Sequence, residues 1–81
     1  VPARRNPRPD WVRSKQLALG HHIAALRIGA GLSQEQLADR MGVERRTVQR
    51  YEAAVTDPRY ADLLLLAQAL RVHVNDLLDG D

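Results

Sequence analysis

The chain of 81 residues has no cysteine and no phenylalanine, and only one tryptophan, one methionine and two tyrosines. Without cysteine there is no disulfide framework, no thiolate metal site and no thiol nucleophile. That suits a reducing cytosol, and a cytoplasmic location is expected. No hydrophobic run approaches the length of a membrane span, and Leu63 to Ala67 is far too short. No signal-peptide pattern is present. A P-loop, a nucleophile–base pair, a paired-carboxylate site and a metal cluster are also missing, so an enzyme is the least supported class and no cofactor is expected. His21 and His22 are adjacent, which sets their side chains about 100° apart on a helix. They are read as surface residues without a zinc site.

What remains is one small domain with ample apolar content for globular folding and little aromatic material. The chain opens on Val1 rather than Met, which is read as a processed or trimmed piece of something longer. Residues 1–9, VPARRNPRP, hold three prolines and three arginines and almost nothing to bury. This stretch is expected to be a flexible basic arm. It would either follow a nucleic-acid backbone or enter a minor groove, or be a solvated tail. Residues 10–81 form the expected domain.

The chain is organised around Leu32 to Glu52, LSQEQLADRMGVERRTVQRYE. Ser33 and Gln36 have the spacing of a capping box, with Glu35 in the first turn to complement the helix dipole. Leu37, Ala38 and Met41 recur as a one-sided apolar stripe. Gly42 then supplies the left-handed residue that ends a helix without steric cost. Val43 is placed to plug the corner, and a second helix starts near Glu44. At 100° per residue, Val48 and Tyr51 fall on one side of that helix, with Glu52 at its edge. Arg45, Arg46, Gln49 and Arg50 fall on the other. A short helix with a core face and an Arg/Gln face suits a major groove, where Arg can donate two bonds to guanine and Gln can pair twice with adenine. A solvated charged face is the plain alternative for an arginine-rich helix. The cap, the glycine turn and the buried side favour the groove.

Net charge is only +2, but it is unevenly spread. Residues 1–50 carry ten Arg or Lys against four acids, a net of +6, and residues 51–81 carry two against six, a net of −4. A dipolar domain with the reading helix in its positive half would orient itself on DNA.

Before this core, Asp10 is read as the cap of a helix running from Trp11 to about Ala30. Val12, Leu19, Ile23, Leu26 and Ala30 share a face, with Leu17 nearer its edge. Trp11 is read as a packing residue rather than a base-stacking platform. Gly20 sits in mid-helix at a propensity cost, as close packing would require. Gly31 is the better candidate to end the helix. After the core, Thr56-Asp57-Pro58 signals a turn. A fourth helix is expected from about Arg59 to Leu70, with Leu63, Leu66, Ala67 and Leu70 as its stripe and Tyr60 and Leu64 assisting. A short last helix spans Val74 to Leu78.

The segments LGHHIAALR, AGLSQEQLADRMGV, TVQRYE, DPR, LLLLAQALRV and NDLL, in this order and spacing, make residues 19–78 resemble the phage-repressor/Cro type of helix-turn-helix domain, the Xre family. The resemblance implies an all-α, compact bundle of five helices, with the helix-turn-helix over about residues 33–52. It implies a sequence-specific, double-stranded-DNA-binding transcriptional regulator, and a homodimer on two half-sites about one DNA turn apart. It implies a partly buried Arg27–Glu52 bridge between the first helix and the end of the reading helix. Two unrelated surface charges are the bland reading of that pair. Gln34 matches a glutamine that holds a phosphate beside the groove. Arg45, Arg46, Gln49 and Arg50 match base- and phosphate-contacting places, and Thr47 a phosphate contact. Arg46 and Arg50 are favoured for base reading.

The chain departs from that pattern in several places. Glu44 stands where a Ser or Thr cap is usual. Ala53-Ala54-Val55 replaces a polar or glycine turn, so the exit from the reading helix is expected to be longer or differently bent. Arg71 replaces a glycine after the fourth helix, at about 1 kcal/mol of strain if left-handed. His73 replaces a polar cap. Leu65 replaces a charge, and is either a dimer contact or a lone exposed leucine. A second class of function stays open: a protein-interaction module of the same fold, such as an antitoxin binding a protein partner through the acidic C-terminal half, or a coactivator-type bridge.

Overall fold

The computed structural model describes residues 8–78. The expected basic arm therefore lies outside the described residues except for Arg8 and Pro9, as do residues 79–81. Among the described residues there are five helices and no strand: α1 (Asp10–Gly29), α2 (Gln34–Met41), α3 (Arg45–Glu52), α4 (Tyr60–Leu70) and α5 (Val74–Leu78). The all-α, five-helix expectation holds. One apolar core joins them, with Ile23, Leu37, Val48, Leu66 and Leu77 fully buried at its centre.

α1 is 20 residues long, about 30 Å at the α-helical rise. Leu19, Ile23 and Leu26 carry its face into the core. Its first turn differs from expectation. Pro9 occupies the cap position and Asp10 is the first helical residue, with no side-chain cap bond. Asp10 still places its charge where the helix dipole favours an anion. Trp11 is 66% exposed rather than packed. It precedes by two turns Leu19, the first α1 side chain packed against the core cluster.

The next two turns follow local chemistry. Gly31 (φ 74°) and Gly42 (φ 73°) take left-handed conformations, which only glycine adopts without a Cβ clash. Ser33 Oγ accepts from the Gln36 N–H at 3.0 Å, and Gln36 Oε1 accepts from the Ser33 N–H at 2.8 Å. This reciprocal box satisfies two donors that the helix itself leaves unpaired. Leu37, Ala38 and Met41 then face inward. Val43 packs against the core from the corner.

The exit from α3 is bent by Ala54, which is buried with φ 57°. The Val55 N–H donates back to the Arg50 carbonyl at 2.9 Å. A glycine-type stop is thus built on an alanine, at a strain of about 1–2 kcal/mol. Arg71 closes α4 in the same way, with φ 59° and the Val72 N–H on the Ala67 carbonyl at 2.9 Å. Arg40 reaches the Ala69 carbonyl at 3.0 Å, so α2 caps the end of α4. His73 offers no cap, but Asp76 accepts from its N–H at 3.0 Å and does half of that work.

α4 buries Leu66, Ala67 and Leu70, with Leu63 packed alongside. Ala69 is buried as well, outside the expected stripe. Tyr60 and Leu64 do not assist the core: they are 69% and 44% exposed. Tyr60 is the first residue of α4, at the end of the helix furthest along the chain from its buried last turn. Leu65 is also exposed.

Candidate nucleic-acid interface

α3 has two chemically distinct sides. Val48 and Tyr51 anchor it in the core, and burying two large side chains of an eight-residue helix fixes its rotation. Burial holds the Tyr51 phenol above its ordinary pKa, aided by the Asp62 carboxylate on α4. Arg45, Arg46, Gln49 and Arg50 are exposed on the outer side, and Thr47 is half-buried at the margin. Glu44 sits at the cap position, exposed, and makes no side-chain cap bond.

The far end of α3 is tied down by a carboxylate. Arg27 donates from Nε to Glu52 Oε2 at 2.6 Å and from Nη2 to Oε1 at 3.1 Å. The two side chains are 14% and 8% exposed. The third arm of the guanidinium, Nη1, donates to the Leu32 carbonyl at 2.9 Å. This planar fork links α1, the α1–α2 turn and α3 in a way that a lysine could not. The bond to Glu52 raises the Arg27 pKa against the opposing effect of burial, so the charge is permanent.

Gln34 completes the cluster. Its Nε2 donates to Glu52 Oε1 at 3.0 Å. Its side chain is therefore turned toward the ion pair, a position that its sequence neighbours do not reveal. Arg27, Ser33, Gln34, Glu35 and Arg45 line an open depression of about 420 Å³ between the start of α2 and the start of α3. The backbone N–H groups of Gln34 and Glu35, in the first turn of α2, have no acceptor among the described residues. Arg45 thus belongs to this depression, while Arg46, Gln49 and Arg50 lie along the open side of α3.

Two contacts from α1 were not legible in the sequence. Arg13 Nη1 donates to the Ala54 carbonyl at 2.7 Å, and Gln16 Nε2 donates to Asp57 Oδ2 at 2.8 Å. Both partners lie 41 residues away in the chain, and neither pair has a spacing that marks it. Among the described residues no cluster of three His, Asp or Glu side chains is disposed to hold a metal, and no helix is long and apolar enough to cross a membrane.

The geometry has close relatives. The helix-turn-helix family model matches residues 23–77. An uncharacterized HTH-type transcriptional regulator of Rickettsia prowazekii is 34% identical over 71 residues, covering 88% of this chain and 55% of the relative. The chain thus spans about half the length of the curated relatives it matches. The restriction-modification controller protein C.AhdI from Aeromonas hydrophila superposes with a TM-score of 0.77 at 31% identity, over 79% of this chain and 97% of that one. The P22 c2 repressor protein, solved in complex with a synthetic operator, superposes with a TM-score of 0.72 at 32% identity, over 78% and 96%. On the family match and these likenesses, the chain belongs to the helix-turn-helix family, in its phage-repressor/Cro form.

Proposed function

We propose that this chain is a sequence-specific DNA-binding transcriptional regulator that inserts α3 into the major groove. The observation that carries the reading is the two-sided α3: its rotation is fixed by Val48 and Tyr51, and its free side is made of Arg45, Arg46, Gln49 and Arg50. Arg46 and Arg50 are assigned to base edges and Gln49 to the same surface. Arg45 and Thr47 are assigned to phosphates. The first turn of α2 holds a phosphate through its free N–H groups. Gln34 contributes from the same turn, oriented by Glu52. The likeness to HTH-type regulators and to a repressor solved with its operator supports this reading. It requires no cofactor and no catalysis, and a cytoplasmic location accords with it.

The same reading makes the working unit a homodimer on two half-sites about one turn apart. Selection from a random duplex pool at about 150 mM salt, a regime where non-specific binding is weakened, tests both parts. A paired, inverted motif establishes a dimeric reader and names its operator. No enrichment, with binding that collapses as salt is added, rejects sequence reading and turns the search toward a protein partner.

A further inference from the structure

Three residues of α1 grip the end of α3 and its exit turn, and they are spaced by seven. Arg27 holds the Glu52 carboxylate. Gly20 lies directly against the Glu52 and Tyr51 carbonyl oxygens, where a Cβ would come within 2.5 and 2.9 Å. Arg13 holds the Ala54 carbonyl. Seven residues are close to two helical turns, so the three positions fall nearly on one line along α1, each about 10 Å from the next.

The Arg13 contact falls on a strained residue of that end. Ala54 is in the left-handed region without being a glycine. The Val55 and Thr56 N–H groups both point back to the Arg50 carbonyl, at 2.9 and 3.4 Å. The Arg50 carbonyl, which takes both, is a main point at which the exit turn is fastened to α3, beside the Tyr51 carbonyl, which accepts from the Ala54 N–H at 3.1 Å. Arg13 also bonds Gln16 Oε1 at 3.4 Å, and Gln16 in turn holds Asp57. The chain Arg13–Gln16–Asp57 continues the hold across the whole turn.

We infer that Arg13, assisted by Gln16, is a positioning residue for DNA reading: it fixes the exit turn of α3 and through it the seat of Arg50 in the groove. The role assigned to Arg13 is the hold of its Nη1 on the Ala54 carbonyl, not a DNA contact of its own. The inference rests on the reading of α3 as the groove helix. Its first half, the hold on the turn, stands independently of DNA.

The test uses the whole chain with Arg13→Ala, Arg13→Lys and the charge-neutral Gln16→Ala. Amide hydrogen exchange at Val55 and Thr56 reports the turn, and affinities for the selected operator and for a random duplex report reading. Arg13→Ala is expected to speed exchange at both amides. It should weaken operator binding roughly tenfold, the scale of one lost charge-assisted hydrogen bond, with the random duplex changed far less. Gln16→Ala should move the same way by a smaller factor, and Arg13→Lys should recover most of the loss. Unchanged exchange in Arg13→Ala overturns the hold. Faster exchange with equal losses on both duplexes overturns the positioning role and leaves Arg13 as a general positive charge. If selection yields no operator, the groove reading fails and the positioning role with it, while the exchange measurement still decides the hold.

Discussion

Gly20 and Glu52 meet backbone to backbone: a Cβ on Gly20 would lie 2.5 Å from the Glu52 carbonyl oxygen. The close approach lets α1 cross the last turn of α3 and brings Arg27 within reach of the Glu52 carboxylate. A glycine in mid-helix costs about 1 kcal/mol relative to alanine, so Gly20→Ala would stabilise an isolated α1. In the folded chain the opposite is expected. The obstructing atoms are backbone, which cannot swing aside, and overpacking of this kind costs about 1–3 kcal/mol. A chemical-denaturation midpoint that rises in Gly20→Ala would show that the two helices separate at no cost.

The Glu52 carboxylate accepts from two guanidinium nitrogens and from Gln34. Glu52→Ala leaves all three donors without their acceptor in a largely buried place. The expected loss is about 3 kcal/mol, the low end for breaking a buried pair because Arg27 keeps some contact with solvent. An unchanged denaturation midpoint would reduce the cluster to surface charges.

Arg71 sits in the left-handed region with its side chain exposed. Arg71→Gly removes about 1–2 kcal/mol of strain and adds about 0.5–1 kcal/mol of unfolded-state entropy. A net gain of roughly 0.5–1 kcal/mol is expected, with no loss of packing. Thermal unfolding of the variant checks the sign.

Burial and Asp62 raise the pKa of Tyr51 above its ordinary value of 10.0. The folded state therefore prefers the neutral phenol. This contribution to stability is full below about pH 10 and is lost as pH rises from there through the folded pKa. Urea midpoints of the native chain should fall across that window, and Tyr51→Phe should flatten the fall. Equal slopes in the two proteins would place the cause elsewhere.

Arg46→Ala and Arg50→Ala should each weaken the preferred duplex by roughly 1–3 kcal/mol while sparing random DNA more. Equal losses on both duplexes, with a salt slope reduced by about one, would move these arginines from bases to phosphates.

Local order was readable wherever its cause spans a few residues. The Ser33–Gln36 box, the Gly31 and Gly42 stops, and the division of α3 between Val48 and Tyr51 on one side and Arg46 and Arg50 on the other follow from helical period and turn chemistry. The strain at Arg71 was readable too, as a non-glycine in a glycine place. Trp11 and Tyr60 are exposed because an aromatic ring on an amphipathic helix is buried only if another element covers it, and neither ring is covered. Gln34 turned toward Glu52, and Arg13 onto the Ala54 carbonyl, for reasons no window of sequence contains. Helical period decides which side chains share a face. Which face then meets which carbonyl, 41 residues away, depends on how the helices cross, and here that crossing is set where Gly20 lets α1 settle onto the end of α3.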